Sequence, residues 1–455
     1  MEPVNPLPWK QLALICICRF AEPITYSIHL PFIYFMIRSF NTTTEENIGY
    51  YCGLLTSVFA MAQFVSGMPM GSLSDRIGRK PVVLFGLGQL SFTILLFGLA
   101  KSFTWLLVVK LFSGLLNGNI GVLKSMIAEL TKNHTASQRT RAFSLLQVTY
   151  GLGSIVGAAL GGFLSEPVTK FPSLFKEGAW VTELLKEYPY LLPCLVASVI
   201  SAMGWLLGLF FLKETLVIRS EEEETPLLQH HGSSSSQEEE ISFRKTLTAP
   251  ILLICAVASL GGFEMLYYEV LFPTWASTPS DKGGLGFKPN DIGTILSCGG
   301  LVMLFTQLVV LHRLTHRFSM VRILQCCLFL AFLDFFIVGL CRSLQGGWIW
   351  AGLLMCMTVQ TVAQTSIMTL SVILLNGSVV HANTLGFING FQQCCNSAAR
   401  MLSPVITGLI WSSVMAMTEI PLDIRSYISW AILGLVGIFT FFVSTRLDPT
   451  SYAKM

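Results

Sequence analysis

Eight charged side chains stand inside long apolar runs of this sequence, where a charge is costly and usually serves function. They are Arg19, Glu22, Lys110, Lys124, Glu264, Glu269, Asp334 and Arg400. A carboxylate in such a setting can take up and release a proton, and a guanidinium or ammonium group can bind an anion. The set therefore predicts proton exchange and recognition of a small solute.

Arg19 and Glu22 lie three residues apart, on one face of a helix, and Pro23 follows them. One interpretation is an internal ion pair that allows the segment to enter the membrane. The other makes Glu22 a proton acceptor beside a backbone that Pro23 disturbs. The sequence leaves both open.

Two further carboxylates stand among aromatic residues in one later run. Glu264 and Tyr268 share a helical face, and Glu269 follows directly. Carboxylates among aromatic rings can hold an organic cation by charge and cation–π attraction. We favour Glu264 as the residue lining a cavity, whereas Glu269 lies near the outer membrane surface in the alternative placement.

A polar, small-residue stripe follows helical spacing in another run, and such a stripe is expected to line a central pathway. It comprises Lys110, Gly114, Asn117, Gly121 and Lys124. Lys110 has an alternative, in which its long side chain reaches the outer surface.

Asn396 and Arg400 share one face of a run near the end of the chain. Arg400 could bind an anionic group, or it could neutralise Asp334, which is otherwise isolated among Leu and Phe. We favour the structural pairing of Arg400 with Asp334.

The elements that position these side chains follow from composition. The chain has 455 residues, is 53% hydrophobic and 12% charged, and has a mean hydropathy of +0.64. A soluble globule is excluded, because soluble domains carry about 25% charge. A bilayer span needs about 20 apolar residues, and twelve such runs can be read. They lie near 10–38, 48–70, 81–100, 104–128, 142–164, 188–212, 247–276, 291–311, 323–341, 348–375, 387–415 and 426–445.

We expect an all-α polytopic membrane protein with two six-helix bundles, at 1–212 and 247–455. Residues 213–246 form an acidic, Ser-rich stretch that predicts a flexible cytosolic linker. Clusters of Lys and Arg place both termini in the cytosol. Asn41, in Asn41-Thr42-Thr43, then faces outward as a candidate glycosylation site.

Several function classes lack support. The 12 cysteines lie mostly in apolar runs, which predicts neither a disulfide scaffold nor a metal site. Near-zero net charge gives no indication of a nucleic-acid partner. The sequence has no nucleophile motif or phosphate-binding loop, so we expect no enzyme and no cofactor.

The loop after the second run carries the most specific pattern, G-x-x-x-D-R-x-G-R-K-P. It comprises Gly71, Asp75, Arg76, Gly78, Arg79, Lys80 and Pro81. This pattern resembles the signature loop of the major facilitator superfamily, whose six-linker-six layout agrees with the whole chain. The resemblance implies that the loop helps latch the outward-facing state, with gating roles for the residues from Gly71 to Lys80.

The fifth run contains four glycines in a pattern that resembles the antiporter motif of drug:proton antiporters, with Ala158 where that motif has Pro. They are Gly153, Gly157, Gly161 and Gly162. Glycines at this spacing also make a helix-packing face. Lys110-x-x-Ser-Gly114 resembles the family's R-x-x-Q-G motif, which implies a link to proton coupling.

Other stretches, such as Arg19-Phe-Ala-Glu-Pro23 and Leu212-Lys-Glu-Thr-Leu216, resemble a fungal branch related to zinc-induced-facilitator-like transporters. That resemblance implies handling of small solutes, often at the vacuolar membrane. Glu223, Leu227 and Leu228 fit an acidic dileucine sorting signal, which favours the vacuole over the plasma membrane and implies a sorting adaptor as partner.

The sequence therefore predicts a monomeric secondary transporter of a small organic solute, coupled to protons by antiport. A facilitator of a metal-chelate or amino-acid-like solute is the alternative within transport. A non-transporting receptor on the same fold is the alternative from another class. No resident metal is expected.

Overall fold

The computed structural model describes residues 7–132, 134–176, 178–216, 248–378 and 385–447, and the described chain is built of helices. In the first half, long helices cross between two ends of the molecule, and two short helices lie in one connection. They are α1 (Trp9–Ser27), α2 (Ile33–Ser39), α3 (Ile48–Ile77), α4 (Arg79–Gly98), α5 (Phe103–Leu115), α6 (Asn119–Leu130), α7 (Ala136–Leu164), α8 (Pro167–Lys170), α9 (Trp180–Glu187) and α10 (Leu191–Phe211).

The second half repeats the arrangement. Its helices are α11 (Ala249–Ser277), α12 (Pro289–Phe305), α13 (Leu311–Arg317), α14 (Met320–Leu340), α15 (Gly347–Gly377), α16 (Leu385–Ala416) and α17 (Leu422–Ser444). We call the end that carries residues 40–47, 278–288 and 341–346 the outer end, following the orientation expected from the basic clusters.

Eleven helical segments of the described chain are long and apolar enough to cross a bilayer. Helix α1 carries Lys10, Arg19 and Glu22 within 19 residues and is the least apolar of the predicted spans. With α1 and α2 as the remaining span, the helices correspond to the twelve predicted runs. The predicted all-α, twelve-span fold in two bundles is confirmed.

Three of the predicted spans are not continuous helices. The first breaks between α1 and α2, at residues 28–32, and the eighth has a π-helical turn at Thr306–Val310 between two α-helical segments. The fourth breaks at residues 116–118, between α5 and α6. Because Asn117 lies in that break, the predicted continuous stripe from Lys110 to Lys124 is wrong: its two ends belong to different helices.

Each bundle has its own apolar core. In the second bundle, residues of α11, α14, α15 and α17 surround fully buried Trp275 and Trp430. Two clusters fill the first bundle, one around Phe32 and Phe97 toward the outer end and one around Ile15 and Met126 toward the other end. Large apolar side chains on the outside, such as Phe210 and Phe442, face the expected lipid.

The two bundles contact each other through α3 with α16 and through α7 with α12. In the outer halves of these helices the backbones approach closely: the Tyr50 backbone N–H donates to Ser412 Oγ at 3.1 Å. A Cβ on Gly162 would lie 2.9 Å from Gly293 Cα. Farther along α3, Gly67 and Gly71 have no such neighbour within 4 Å. The outer end is therefore closed, and the bundles separate toward the opposite end.

Candidate functional site

The ion pair between Arg19 and Glu22 forms as one of the two sequence interpretations requires. The Arg19 side chain is 6% exposed and the Glu22 side chain 14%. Gln63 Nε2 of α3 and Asn117 Nδ2 at the break between α5 and α6 also donate to Glu22, at 3.5 and 3.4 Å. The break thus places Asn117 on the carboxylate, and Glu22 accepts from three side chains of three different spans.

Arg19 and Glu22 face the second bundle across two tyrosines. The Arg19 guanidinium lies over the Tyr150 ring, 5.3 Å from its centroid. One turn beyond Glu22, the Tyr26 hydroxyl donates to Glu269 Oε2 of α11 at 3.1 Å. This hydrogen bond joins the two bundles.

Glu269, rather than Glu264, lies at the bundle interface, so our preference for Glu264 as the cavity-lining carboxylate is wrong. Helix α11 turns its 269 position toward α1 and its 264 position toward α17. Arg400 of α16 lies close enough to Glu269 and Tyr150 to act on both electrostatically. The favoured pairing of Arg400 with Asp334 is therefore also wrong, because the two residues face different surroundings.

Glu264 and Asp334 both lie inside the second bundle. Glu264 is fully buried and accepts a hydrogen bond from Thr440 Oγ1. Asp334, 3% exposed, lies beside Cys356 and Tyr268. The Tyr268 ring packs against Phe272 and Trp430 rather than facing the bundle interface.

Lys110 does not reach the outer surface. Its ammonium group is buried in the first bundle, 3.4 Å from His29 Nε2 and about 5 Å from the ring centroids of Phe59 and Phe97 (5.4 and 5.0 Å). His29 in turn lines a small cavity with Glu269. Lys110 therefore lies behind the interface, one side chain removed from it.

Lys124 and Asn396 have different surroundings from Lys110. Lys124 of α6 is exposed and lies within electrostatic range of Arg19 and Glu22. Asn396 of α16 is partly exposed, and its Oδ1 lies against Gly262 of α11. Both belong to the part of the interface that opens away from the outer end.

The signature loop is held by its own bundle. Arg79 pairs with Asp75 at 2.5 Å and with Glu129 at 3.0 Å. The backbone N–H groups of Arg79 and Lys80 donate to the Glu214 carboxylate at 2.9 and 3.0 Å. Burial raises the pKa of Glu214, but backbone N–H donors outweigh it and leave that pKa below its usual value.

The other residues of the loop fit a tight turn. Gly78 has φ of +108°, a conformation that favours glycine, and Glu214 lies against the side where a Cβ would project. Asp75 and Arg76 are exposed, and Gly71 has open space around it. With the outer end closed, the loop contacts the first bundle and Glu214 at the start of the predicted linker, and its predicted role as a latch stays a prediction.

The four glycines of α7 make close helix contacts. A Cβ on Gly153 or Gly157 would overlap Pro23 or Ser27 of α1, and one on Gly161 would overlap the carbonyl oxygen of Ile28. Gly162 faces α12 of the other bundle, and a Cβ on it would lie 2.8 Å from the carbonyl oxygen of Pro289. The motif thus packs α7 against α1 and closes the outer end.

Two predicted surface sites lie apart from this interface. Asn41 is exposed in the outer connection between α2 and α3, with φ of +52°. The sorting pattern of Glu223, Leu227 and Leu228 lies outside the described residues.

A family model described as Major Facilitator Superfamily matches residues 15–404. The chain belongs to the Major Facilitator Superfamily. It is therefore a multi-pass membrane protein of a transporter family, and the resemblance read from the signature loop is confirmed.

Relatives of this superfamily member include a multidrug transporter and a zinc-induced-facilitator-like protein. It is 29% identical to the major facilitator superfamily multidrug transporter mfsB of Aspergillus fumigatus, over 95% of this chain and 82% of that protein. It is 27% identical to the protein ZINC INDUCED FACILITATOR-LIKE 1 of Arabidopsis thaliana, over 89% of this chain and 84% of that protein.

Among solved structures, a bacterial homologue of the human lysosomal transporter Spinster, in an inward-facing and occupied conformation, has the same fold. The TM-score is 0.71 at 13% identity, and the likeness covers 98% of this chain and 99% of that one.

Several residues of the site carried no local signal in the sequence. Tyr150 is one of many aromatic residues in the apolar runs, and Gln63 is an isolated polar residue. Tyr26 and His29, four and seven residues after Glu22, could have been found by extending the face of Arg19 and Glu22 along the helix.

Proposed function

We propose that this chain moves a small organic solute across its membrane by alternating access, with protons moving in exchange. The observation that supports this proposal is the set of ionisable groups at the bundle interface. There the pair Arg19 and Glu22 faces Glu269 and Arg400 across Tyr26. Transporters of this kind place their sites where the two halves meet.

The solute binds in the part of the interface that opens away from the outer end. An organic cation or a polar neutral solute would meet Glu269, with the rings of Tyr26 and Tyr150 beside it. The positive charge of an organic cation and a proton compete for the Glu269 carboxylate, so the cation and the proton are exchanged for each other. Glu22 already accepts hydrogen bonds from three other side chains, so we assign the exchange to Glu269.

Proteoliposomes that contain a pH-sensitive dye test this assignment, with ethidium as the probe cation. Imposing an ethidium gradient should drive a proton flux in the opposite direction, and Glu269→Gln should abolish it. Glu264→Gln is the matched control, because it removes a carboxylate of the same helix that faces Thr440 instead of the interface. Proton flux that survives in Glu269→Gln and vanishes in Glu264→Gln would place the exchanging carboxylate inside the second bundle.

A facilitator of a metal-chelate or amino-acid-like solute is the second candidate, favoured by the similarity to the zinc-induced-facilitator-like relative. Vesicle uptake of zinc with and without a small amino-acid chelator, each with and without a pH gradient, separates the two. Zinc uptake that requires the chelator and is the same with and without the pH gradient would support the facilitator. A chain that moves neither ethidium nor zinc would favour a receptor.

We also propose that residues 213–246 link the bundles, flexibly beyond the contacts that Glu214 makes with the signature loop, and carry a vacuolar sorting signal that binds an adaptor. The support is sequence alone, from the acidic stretch and Glu223, Leu227 and Leu228. A fluorescently tagged chain with Leu227→Ala and Leu228→Ala should leave the vacuolar membrane. An unchanged location would contradict the signal. Native gel analysis tests the expected monomer.

A further inference from the structure

Two buried thiols face each other at the outer end of the second bundle. Cys341 and Cys356 are each 4% exposed, and their sulfur atoms are 3.8 Å apart. We propose that they are a redox-active dithiol, which a hydroperoxide converts into a disulfide between α14 and α15.

The pair lies near the outer boundary of the membrane. Helix α15 has 31 residues, which makes it about 46 Å long, whereas the hydrocarbon core is about 30 Å thick. Its first turns therefore project beyond the lipid. Arg342, next to Cys341, donates to Asp423 in the first turn of α17 at 2.5 Å and to the carbonyl oxygen of Ser280, in an outer connection, at 3.0 Å. Cys341 thus stands at the outer end of the pair, and Cys356 lies deeper, ten residues into α15.

The geometry requires only a local movement. A disulfide has an S–S length of about 2.05 Å, so the sulfur atoms must approach by roughly 1.8 Å from their separation of 3.8 Å. The residues are 15 positions apart, and the chain between them already turns from α14 into α15.

A proton acceptor stands beside the pair. Asp334 lies on the face of α14 that Cys356 approaches, close enough for the carboxylate and the Cys356 thiol to interact electrostatically. The second carboxylate oxygen, Oδ2, has no hydrogen-bond partner among the described residues. The carboxylate can therefore take the thiol proton, which exposes the nucleophilic thiolate.

The chemistry balances with one hydroperoxide. The Cys356 thiolate attacks the peroxide oxygen, the O–O bond breaks, and the leaving hydroxide takes the proton from Asp334, which yields a sulfenic acid and one water. Cys341 then attacks that sulfur, the S–O bond breaks, and a second water leaves. In total two thiols and one H₂O₂ give a disulfide and two H₂O.

Oxidation would change the second bundle in two ways. It would join the end of α14 covalently to α15, and it would remove from beside Asp334 a thiol that can donate a hydrogen bond. A buried carboxyl group without a hydrogen-bond donor is costly. The reduced and oxidised forms therefore differ in the hydrogen bonding available to Asp334, beside Tyr268.

The test uses the full-length protein with a site-specific protease sequence inserted between Gln345 and Gly346, in lipid nanodiscs. Hydrogen peroxide is added, remaining thiols are blocked with an alkylating agent, and the chain is cleaved and denatured. The two fragments should stay together on a gel without reductant and separate with it. Fragments that separate without reductant after peroxide treatment would overturn the proposal.

Two variants identify the residues. Cys356→Ser should lose the link, whereas replacing Cys394 and Cys395 by Ser on the same fragment should keep it. A link that persists in Cys356→Ser would contradict the assignment. Thermal unfolding of each variant shows that it folds.

The role of Asp334 has its own readout. Asp334→Asn should slow formation of the link by about tenfold or more at pH 7, and the difference should shrink at pH 9, where hydroxide takes the thiol proton. A purely structural role would give the same ratio of rates at both pH values, and that result would remove Asp334 from the mechanism.

Discussion

At the scale of single residues, the buried pair of Arg19 and Glu22 is the most sensitive point of the interface. Glu22→Gln would leave Arg19, 6% exposed, without its carboxylate. Breaking a buried pair typically costs about 3–5 kcal/mol. We expect the unfolding temperature in nanodiscs, followed by tryptophan fluorescence, to fall clearly.

The double variant Arg19→Gln with Glu22→Gln should lose less stability than Glu22→Gln alone, since no charge is then left unpaired. A double variant that is less stable than the single one would indicate that Arg19 is stabilised mainly by the Tyr150 ring rather than by the carboxylate.

Lys110 should behave in the opposite way. Its buried ammonium contacts His29, Phe59 and Phe97 rather than an acid. A buried charge without a counter-ion is costly, and an apolar side chain of similar length fits the aromatic surroundings. Lys110→Met should leave the unfolding temperature unchanged or raise it. A clear fall would show that the cation–π contacts outweigh desolvation.

Sequence reasoning reached those residues that interact within one run. The Arg19–Glu22 pair follows from a spacing of three on a helix, and it forms. Tyr26 and Glu269 are 243 positions apart, and their contact depends on how two bundles pack. For the same reason the choice between Glu264 and Glu269 failed: both stand in one apolar run, and only the neighbouring helices decide which one faces the interface.

At the scale of helices, the α7 glycines give a direct test of close packing. A Cβ on Gly161 would overlap the backbone oxygen of Ile28, whereas one on Gly121 of α6 would meet open space. Gly161→Ala should therefore lower the unfolding temperature, because α1 and α7 must separate, and Gly121→Ala should leave it unchanged or raise it. Equal effects of the two variants would mean that helix propensity, not packing, decides.

In the fourth span, helical spacing of polar residues does not predict the observed structure. The spacing from Lys110 to Lys124 fits one helix, but the chain breaks at residues 116–118. Asn and Gly have low helix propensity, and Leu-Asn-Gly-Asn at 116–119 was a signal for a break. The energy that favours the break is tertiary: Asn117 donates to Glu22, and buried Asn119 packs against Gly86.

At the scale of the whole molecule, closure of the outer end should depend on pH through Lys170. Its ammonium donates to Asn290 Oδ1 of the second bundle at 2.5 Å and to the carbonyl oxygen of Gly162 at 2.8 Å. Burial lowers the pKa of Lys170 to about 8, below the roughly 10.4 of a free lysine. Between these two values the closed state holds fewer protons than a state with Lys170 in water. Raising the pH through this window should therefore favour closure.

Hydrogen exchange of residues 280–288 measures that closure. Protection of the outer connection should rise between pH 8 and 10, after correction for intrinsic rates, and the rise should disappear in Lys170→Met. Lys186→Met is the control, because Lys186 pairs with exposed Glu183 on the same short helix of the first bundle. A pH dependence that survives in Lys170→Met would exclude Lys170 as its source.

The salt bridge between Glu45 and Lys282 also joins the bundles at the outer end, with Lys282 Nζ 2.6 Å from Glu45 Oε2. Lys282 is about half exposed, so such a pair contributes roughly 0.5 kcal/mol. Removing it with Lys282→Met should raise the ratio of open to closed states about twofold. Lys282→Glu should raise the ratio further, because two carboxylates would then face each other.

High salt should reduce the difference between Lys282→Glu and the unchanged protein, since exposed charges are screened. Lys101→Glu is the matched control: it reverses an exposed pair with Glu187 that lies wholly within the first bundle. If Lys101→Glu opens the outer end as much as Lys282→Glu does, net surface charge rather than the bridge controls closure. If only Lys282→Glu does, closure depends on where the charge stands, and the outer connections of the two bundles act as one gate.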